Sequence, residues 1–143
     1  MTPRELQTRT KAFALRVITL VDTLPRSMAG QVIGRQLLRS ATSVGANYRA
    51  ACRAQSRAEL AAKLSVVVEE ADESLYWLEL LQESSPIKAV RLTDLLKEAN
   101  ELVAISVAAR KTAKQVARNG GSSLRCQSTI VNRKLCHDPS PYR

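Results

Sequence analysis

The stretch RSATSVGANYRAACRAQSRAELAAKLSVVVEEADESLYWLELLQE, residues 39–83, joins a basic helical segment to an acidic one. Between Arg26 and Gln55 stand Arg26, Arg35, Arg39, Arg49 and Arg53 and no carboxylate. From Ser56 to Ser85, seven acidic residues outnumber two basic ones, Arg57 and Lys63. Each half also carries an apolar stripe at helical spacing: Ile33, Leu37, Ala41, Val44, Tyr48 and Ala51 in the first, Leu60, Leu64, Val67, Ala71, Leu75 and Leu78 in the second. Two amphipathic helices of opposite charge, joined by a short break at Gln55-Ser56, are expected to lie against each other.

Punctuation marks out the rest. Ser56-Arg57-Ala58-Glu59 has the form of a capping box, in which a serine hydroxyl and a glutamate three residues on satisfy orphan amides at a helix start. Thr2-Pro3-Arg4-Glu5 repeats the pattern, and Leu6, Phe13, Val17, Leu20 and Leu24 follow on one face until Pro25. Pro86 closes the acidic helix. A fourth helix carries Leu92, Leu95, Ala99, Leu102, Ser106, Ala109, Ala113 and Val116 and stops at Asn119-Gly120-Gly121. Gly34 and Gly45 inside the second helix each cost about 1 kcal/mol relative to alanine, which points to close helix approach or a bend there.

The fold class is therefore all-α, with helices at about 3–24, 27–54, 57–84 and 88–118 in a bundle of residues 1–119. Short connections favour antiparallel neighbours in up-down-up-down order. Residues 120–143 lose periodicity and read as a flexible basic tail, with Arg125, Arg133, Lys134, Cys126, Cys136 and His137. At 143 residues, with 45% hydrophobic and only 3% aromatic content, the chain suits one closely packed helical domain.

Three cysteines and one histidine supply no zinc spacing and no disulfide framework, so a reducing cytoplasm and the absence of metal and cofactor are expected. No run approaches the ~20 apolar residues that span a bilayer. Glu5 and Arg16 flank and interrupt the apolar run of the first helix, which argues against a signal peptide. The formal charge of +9 points to an anionic partner.

Residues 36–83 resemble the four-helix bundle proteins encoded within intervening sequences of bacterial 23S ribosomal RNA, a family similar to the accessory variability determinant of diversity-generating retroelements. The resemblance rests on Arg39-Ser40, Ser43-Val44, Ala46-Asn47, Ser56 with Glu59-Leu60, and Glu69-Glu70-Ala71-Asp72-Glu73-Ser74 leading to Tyr76-Trp77-Leu78. It implies a barrel-shaped homopentamer with a positive surface toward nucleic acid. Many members have proline where Gly45 stands and Glu-Gly where Ala50-Ala51 stand, so no role of that glutamate carries over.

Arg39, Arg49 and Arg53 can serve as paired donors to phosphate. They can equally face the acids of the third helix, Glu69, Glu70, Asp72 and Glu73, within or between subunits, and the local charge match favours the acids. Arg110, Lys111, Lys114 and Arg118 form a basic stripe at the end of the fourth helix, more cations than the helix dipole requires; it is the leading site for an RNA or DNA backbone, bound without sequence readout. Tyr76 and Trp77 fit either a subunit interface, alongside those acids, or the core. Ser43 and Asn47, four apart on the second helix, read as structural polar contacts, across a helix interface or to a neighbouring backbone group. No residues form a catalytic constellation. The sequence thus leads to a non-enzymatic, cytoplasmic homo-oligomer that binds nucleic acid. The alternative is a protein-interaction scaffold, for instance for a reverse transcriptase or another polymerase.

Overall fold

The computed structural model describes residues 1–84 and 89–119. They form four helices: α1 (Pro3–Val21), α2 (Met28–Ala51), α3 (Arg57–Ser84) and α4 (Ala89–Asn119). Each touches its neighbours in sequence, and α4 makes a sparser contact with α1, so the four close around one core. The tail of residues 120–143 and its cysteines and histidine lie outside the described residues, as does the residue 88 at which the fourth helix was expected to start.

The apolar stripes fill this core. Phe13 and Val17 of α1, Leu37, Ala41 and Val44 of α2, Val67, Ala71 and Leu78 of α3, and Leu92, Ala99 and Leu102 of α4 are buried. The helix starts follow local chemistry. Glu5 N–H donates to Thr2 Oγ1 at 3.2 Å and Thr2 N–H to Glu5 Oε2 at 2.6 Å, a complete capping box. At α3, Glu59 N–H donates to Ser56 Oγ at 3.0 Å, but the Glu59 carboxylate reaches one residue further back, to Gln55 N–H at 2.9 Å. Ser27 caps α2 by accepting from Gly30 N–H at 3.1 Å.

Two helix ends fall short of the sequence expectation. α1 stops at Val21, not Leu24, because Thr23 and Leu24 turn their amides to Leu20 and Val21, three residues back. α2 stops at Ala51, not 54, for the same reason: Arg53 and Ala54 bond to Ala50 and Ala51. Nor is α2 interrupted at its glycines. A Cβ on Gly34 would stand 2.9 Å from Leu24 Cδ1 and 3.3 Å from Val21 Cγ1, so this glycine serves close approach to α1. Among the described residues no helix is long and apolar enough to cross a membrane.

Candidate functional site

The α2–α3 seam sorts the charged residues. Ser40 and Ser74 fix its centre: both are buried, and Ser74 Oγ lies 2.9 Å from Ser40 Oγ. One residue earlier on α2, the Arg39 guanidinium spans Glu70, with Nη1 at 3.2 Å from Oε2, and Glu73. Glu73 also accepts from Trp77 Nε1 at 3.1 Å. These donors, Arg39 first, hold the Glu73 carboxyl below the usual carboxylate range. Arg39 thus spends its charge on an acidic pair of its own chain.

Helical phase divides the acidic run. Glu70 and Glu73 turn toward α2 and are half-buried, whereas Glu69 and Asp72 are exposed and form no ion pair among the described residues. Tyr76 shares their side of α3, 52% exposed, with its ring 5.0 Å from that of Trp77 in an edge-on arrangement. Trp77 is partly buried against the core. The six residues expected at one interface therefore lie on two sides of the helix.

Arg49 and Arg53 are exposed, with no ion-pair partner among the described residues. So are Lys111, Lys114 and Arg118; Arg110, half-buried, has none either. The fold brings these cations to one end. Only five residues separate Ala51, the end of α2, from Arg57, the start of α3. Arg57 Nη1 in turn donates to the Val116 carbonyl at 3.1 Å, supplying one of the orphan acceptors in the last turn of α4. Arg49 and Arg53 flank the end of α2 and Arg57 opens α3, while Lys111, Lys114 and Arg118 lie on the stretch of α4 that carries Val116. Residues 110–118 span only about 12 Å along the helix, so the positive charge is concentrated.

Two further contacts were not expected. Arg9 Nε and Nη2 grip Glu98 at 2.6 and 2.9 Å, and Nη2 also reaches Glu101, tying α1 to α4 across 89 residues of sequence. Those carboxylates push the Arg9 pKa further up. Ser43 and Asn47 make a polar contact within α2 itself: Asn47 Nδ2 donates to Ser43 Oγ at 2.9 Å and to its carbonyl at 3.0 Å. Burial, then the neighbouring Cys52, raises the Tyr48 phenol, which keeps it neutral. No group of three His, Cys, Asp or Glu side chains among the described residues could hold a metal.

Residues 4–108 match the family model described as 23S rRNA-intervening sequence protein. The chain is also similar to a crystal structure of a protein of unknown function from the S23 ribosomal protein family of Bacteroides thetaiotaomicron VPI-5482. Identity is 34%, the TM-score is 0.68, and the match covers 73% of this chain and 97% of the other. No curated protein matches the chain.

Proposed function

The chain belongs to the family of 23S rRNA-intervening sequence proteins, and from that premise we propose a non-enzymatic, self-associating bundle of the cytoplasm whose cationic end binds the phosphate backbone of RNA or DNA. The observation that carries this reading is the junction of α2, α3 and α4, where Arg49, Arg53, Lys111, Lys114 and Arg118 are exposed without carboxylate partners among the described residues. A positive surface left uncompensated favours a polyanion, and guanidinium groups donate to phosphate oxygens in pairs. Contacts to phosphate oxygens carry no base information, so the binding is independent of sequence.

An up-down-up-down order belongs to the same proposal. It is supported by the short α1–α2 and α2–α3 connections and by Arg57, at the start of α3, reaching Val116, near the end of α4. The homopentamer rests on the resemblance to the retroelement accessory protein. Repeating one basic end around a ring multiplies weak phosphate contacts by avidity.

A second reading is favoured by the α3 surface. The exposed Glu69 and Asp72 repel a polyanion and, with the exposed Tyr76, suit a protein, which supports a scaffold, for example for a reverse transcriptase or another polymerase. Salt dependence separates the two. The protein is titrated with a short RNA hairpin and with a DNA duplex of unrelated sequence at increasing salt. Affinity is expected to fall linearly in the logarithm of salt, and each phosphate contact removed by neutralising Lys111, Lys114 or Arg118 takes about 0.9 off the slope on duplex DNA. No retention of either probe at low salt overturns nucleic-acid binding in favour of the scaffold.

A further inference from the structure

α2 and α3 each carry a second periodic row, on the side away from the core. On α2 it runs Val32, Arg35, Arg39, Thr42, Ala46, Arg49, at spacings of three and four, and every member is exposed. On α3 it runs Ser65, Glu69, Asp72, Tyr76, Glu79, Glu83 at the same spacings, exposed except for the half-buried Ser65. A helix needs only one such stripe to face its own core. The opposite face of such a helix is ordinarily charged and polar, and what sets these two rows apart is that each carries charge of one sign only, positive on α2 and negative on α3.

The two rows are opposite in sign, and Arg39 is the one member with an ion pair among the described residues. Arg39 is engaged by Glu70 and Glu73. Arg35 and Arg49 on one side, and Glu69, Asp72, Glu79 and Glu83 on the other, have no ion-pair partner among the described residues. We infer that the arginine row of α2 in one copy docks against the acidic row of α3 in a second copy. This rests on the self-association proposed above and names the faces that carry it.

Set antiparallel, the rows pair with a constant offset. Arg35 meets Glu83 and Arg49 meets Glu69, while Arg39, held by Glu70 and Glu73 of its own chain, stands opposite Glu79. Between these charges, Thr42 and Ala46 lie opposite Tyr76 and Asp72, leaving small side chains where the tyrosine ring needs room. Tyrosine and arginine are the usual anchors of such contacts. The charges set orientation and register, because the α2 row brought against a second α2 row would stack arginine on arginine. Both rows belong to every copy, so each docking event leaves an arginine face and an acidic face for the next, the requirement for a closed ring. Of the cationic end, this docking takes up Arg49 alone; Arg53, Lys111, Lys114 and Arg118 lie outside both rows and stay available to phosphate.

The test is the solution mass of full-length chains by sedimentation. One variant carries Arg35→Glu and Arg49→Glu, another Glu69→Arg and Glu79→Arg, and a control reverses Lys11 and Arg16 on α1. The wild type and the control are expected to assemble, each row variant to dissociate, and an equimolar mixture of the two row variants to associate again into mixed oligomers in which the two kinds alternate. Two chains that failed to fold would not rescue each other, and circular dichroism checks each alone. Row variants that assemble like the wild type, or a mixture that stays dissociated, overturn the faces and leave self-association standing. A wild type that sediments as a monomer overturns both.

Discussion

Ser74 directs its hydroxyl at Ser40 across 2.9 Å in the interior of the α2–α3 contact, and both side chains are closed to solvent. Each serine also has a second option on its own helix: Ser40 Oγ lies 3.2 Å from the Leu37 carbonyl and Ser74 Oγ 2.8 Å from the Glu70 carbonyl. Ser40→Ala or Ser74→Ala alone is therefore expected to cost about 0.5–1.5 kcal/mol, since the remaining hydroxyl keeps a partner. The double alanine variant should cost less than the sum of the two. Urea unfolding of all four chains gives the coupling directly, and strict additivity would mean that the inter-helix bond contributes nothing.

The three helical glycines should separate by what a methyl group would meet. At Gly45 an added Cβ finds Thr10 backbone at 3.7 Å, an ordinary contact, so Gly45→Ala should gain about 0.5–1 kcal/mol from helix propensity. At Gly30 it would lie 2.2 Å from the Pro25 carbonyl oxygen, and Gly30→Ala should lose roughly 1–3 kcal/mol as the turn shifts. Gly34→Ala falls between them, because the obstacle is the end of the Leu24 side chain. Thermal unfolding should rank the variants in that order.

What the sequence reveals about this molecule is mainly local. The core stripes, the Thr2 and Ser56 caps and the pairing of a basic helix with an acidic one follow from spacing and composition. Arg39 opposite an acidic pair is part of that reading, yet the choice of Glu70 and Glu73 over Glu69 and Asp72 is a matter of helical phase. A phase difference of one residue, about 100°, has meaning only once the α2–α3 crossing is set. Arg9 with Glu98 is harder still, because its partners lie 89 residues apart and no periodicity links them. A signal was present: Arg9 and Glu98 each border a core stripe, where a long side chain can lie across a helix pair.

That α1–α4 clamp should outweigh the α2–α3 one. Arg9 and Glu98 are 27% and 19% exposed, against 49% for Arg39. Arg9→Met leaves Glu98 and Glu101 facing each other without a cation, at an expected cost of about 1–3 kcal/mol. Arg39→Met, at a more solvated site, should cost less than Arg9→Met. Arg9→Lys should recover only part of the loss, since an ammonium cannot span Glu98 with two parallel bonds. Chemical denaturation of the three variants tests the order.

Acid should weaken the α2–α3 seam through Glu73. Its folded carboxyl titrates below the usual carboxylate range, because Arg39 and Trp77 Nε1 both donate to its charged form. A group whose folded pKa lies below its unfolded value adds stability that is complete above the unfolded pKa, about 4.3 for glutamate, and is lost as pH falls through the folded value. The Arg39 shift is upward and lies on the far alkaline side, so it does not contribute in this window. Melting temperatures measured downward from neutral pH should therefore fall below about pH 4. Glu73→Gln should start lower at neutral pH and lose less on acidification. Parallel curves for wild type and Glu73→Gln would show that acid acts elsewhere.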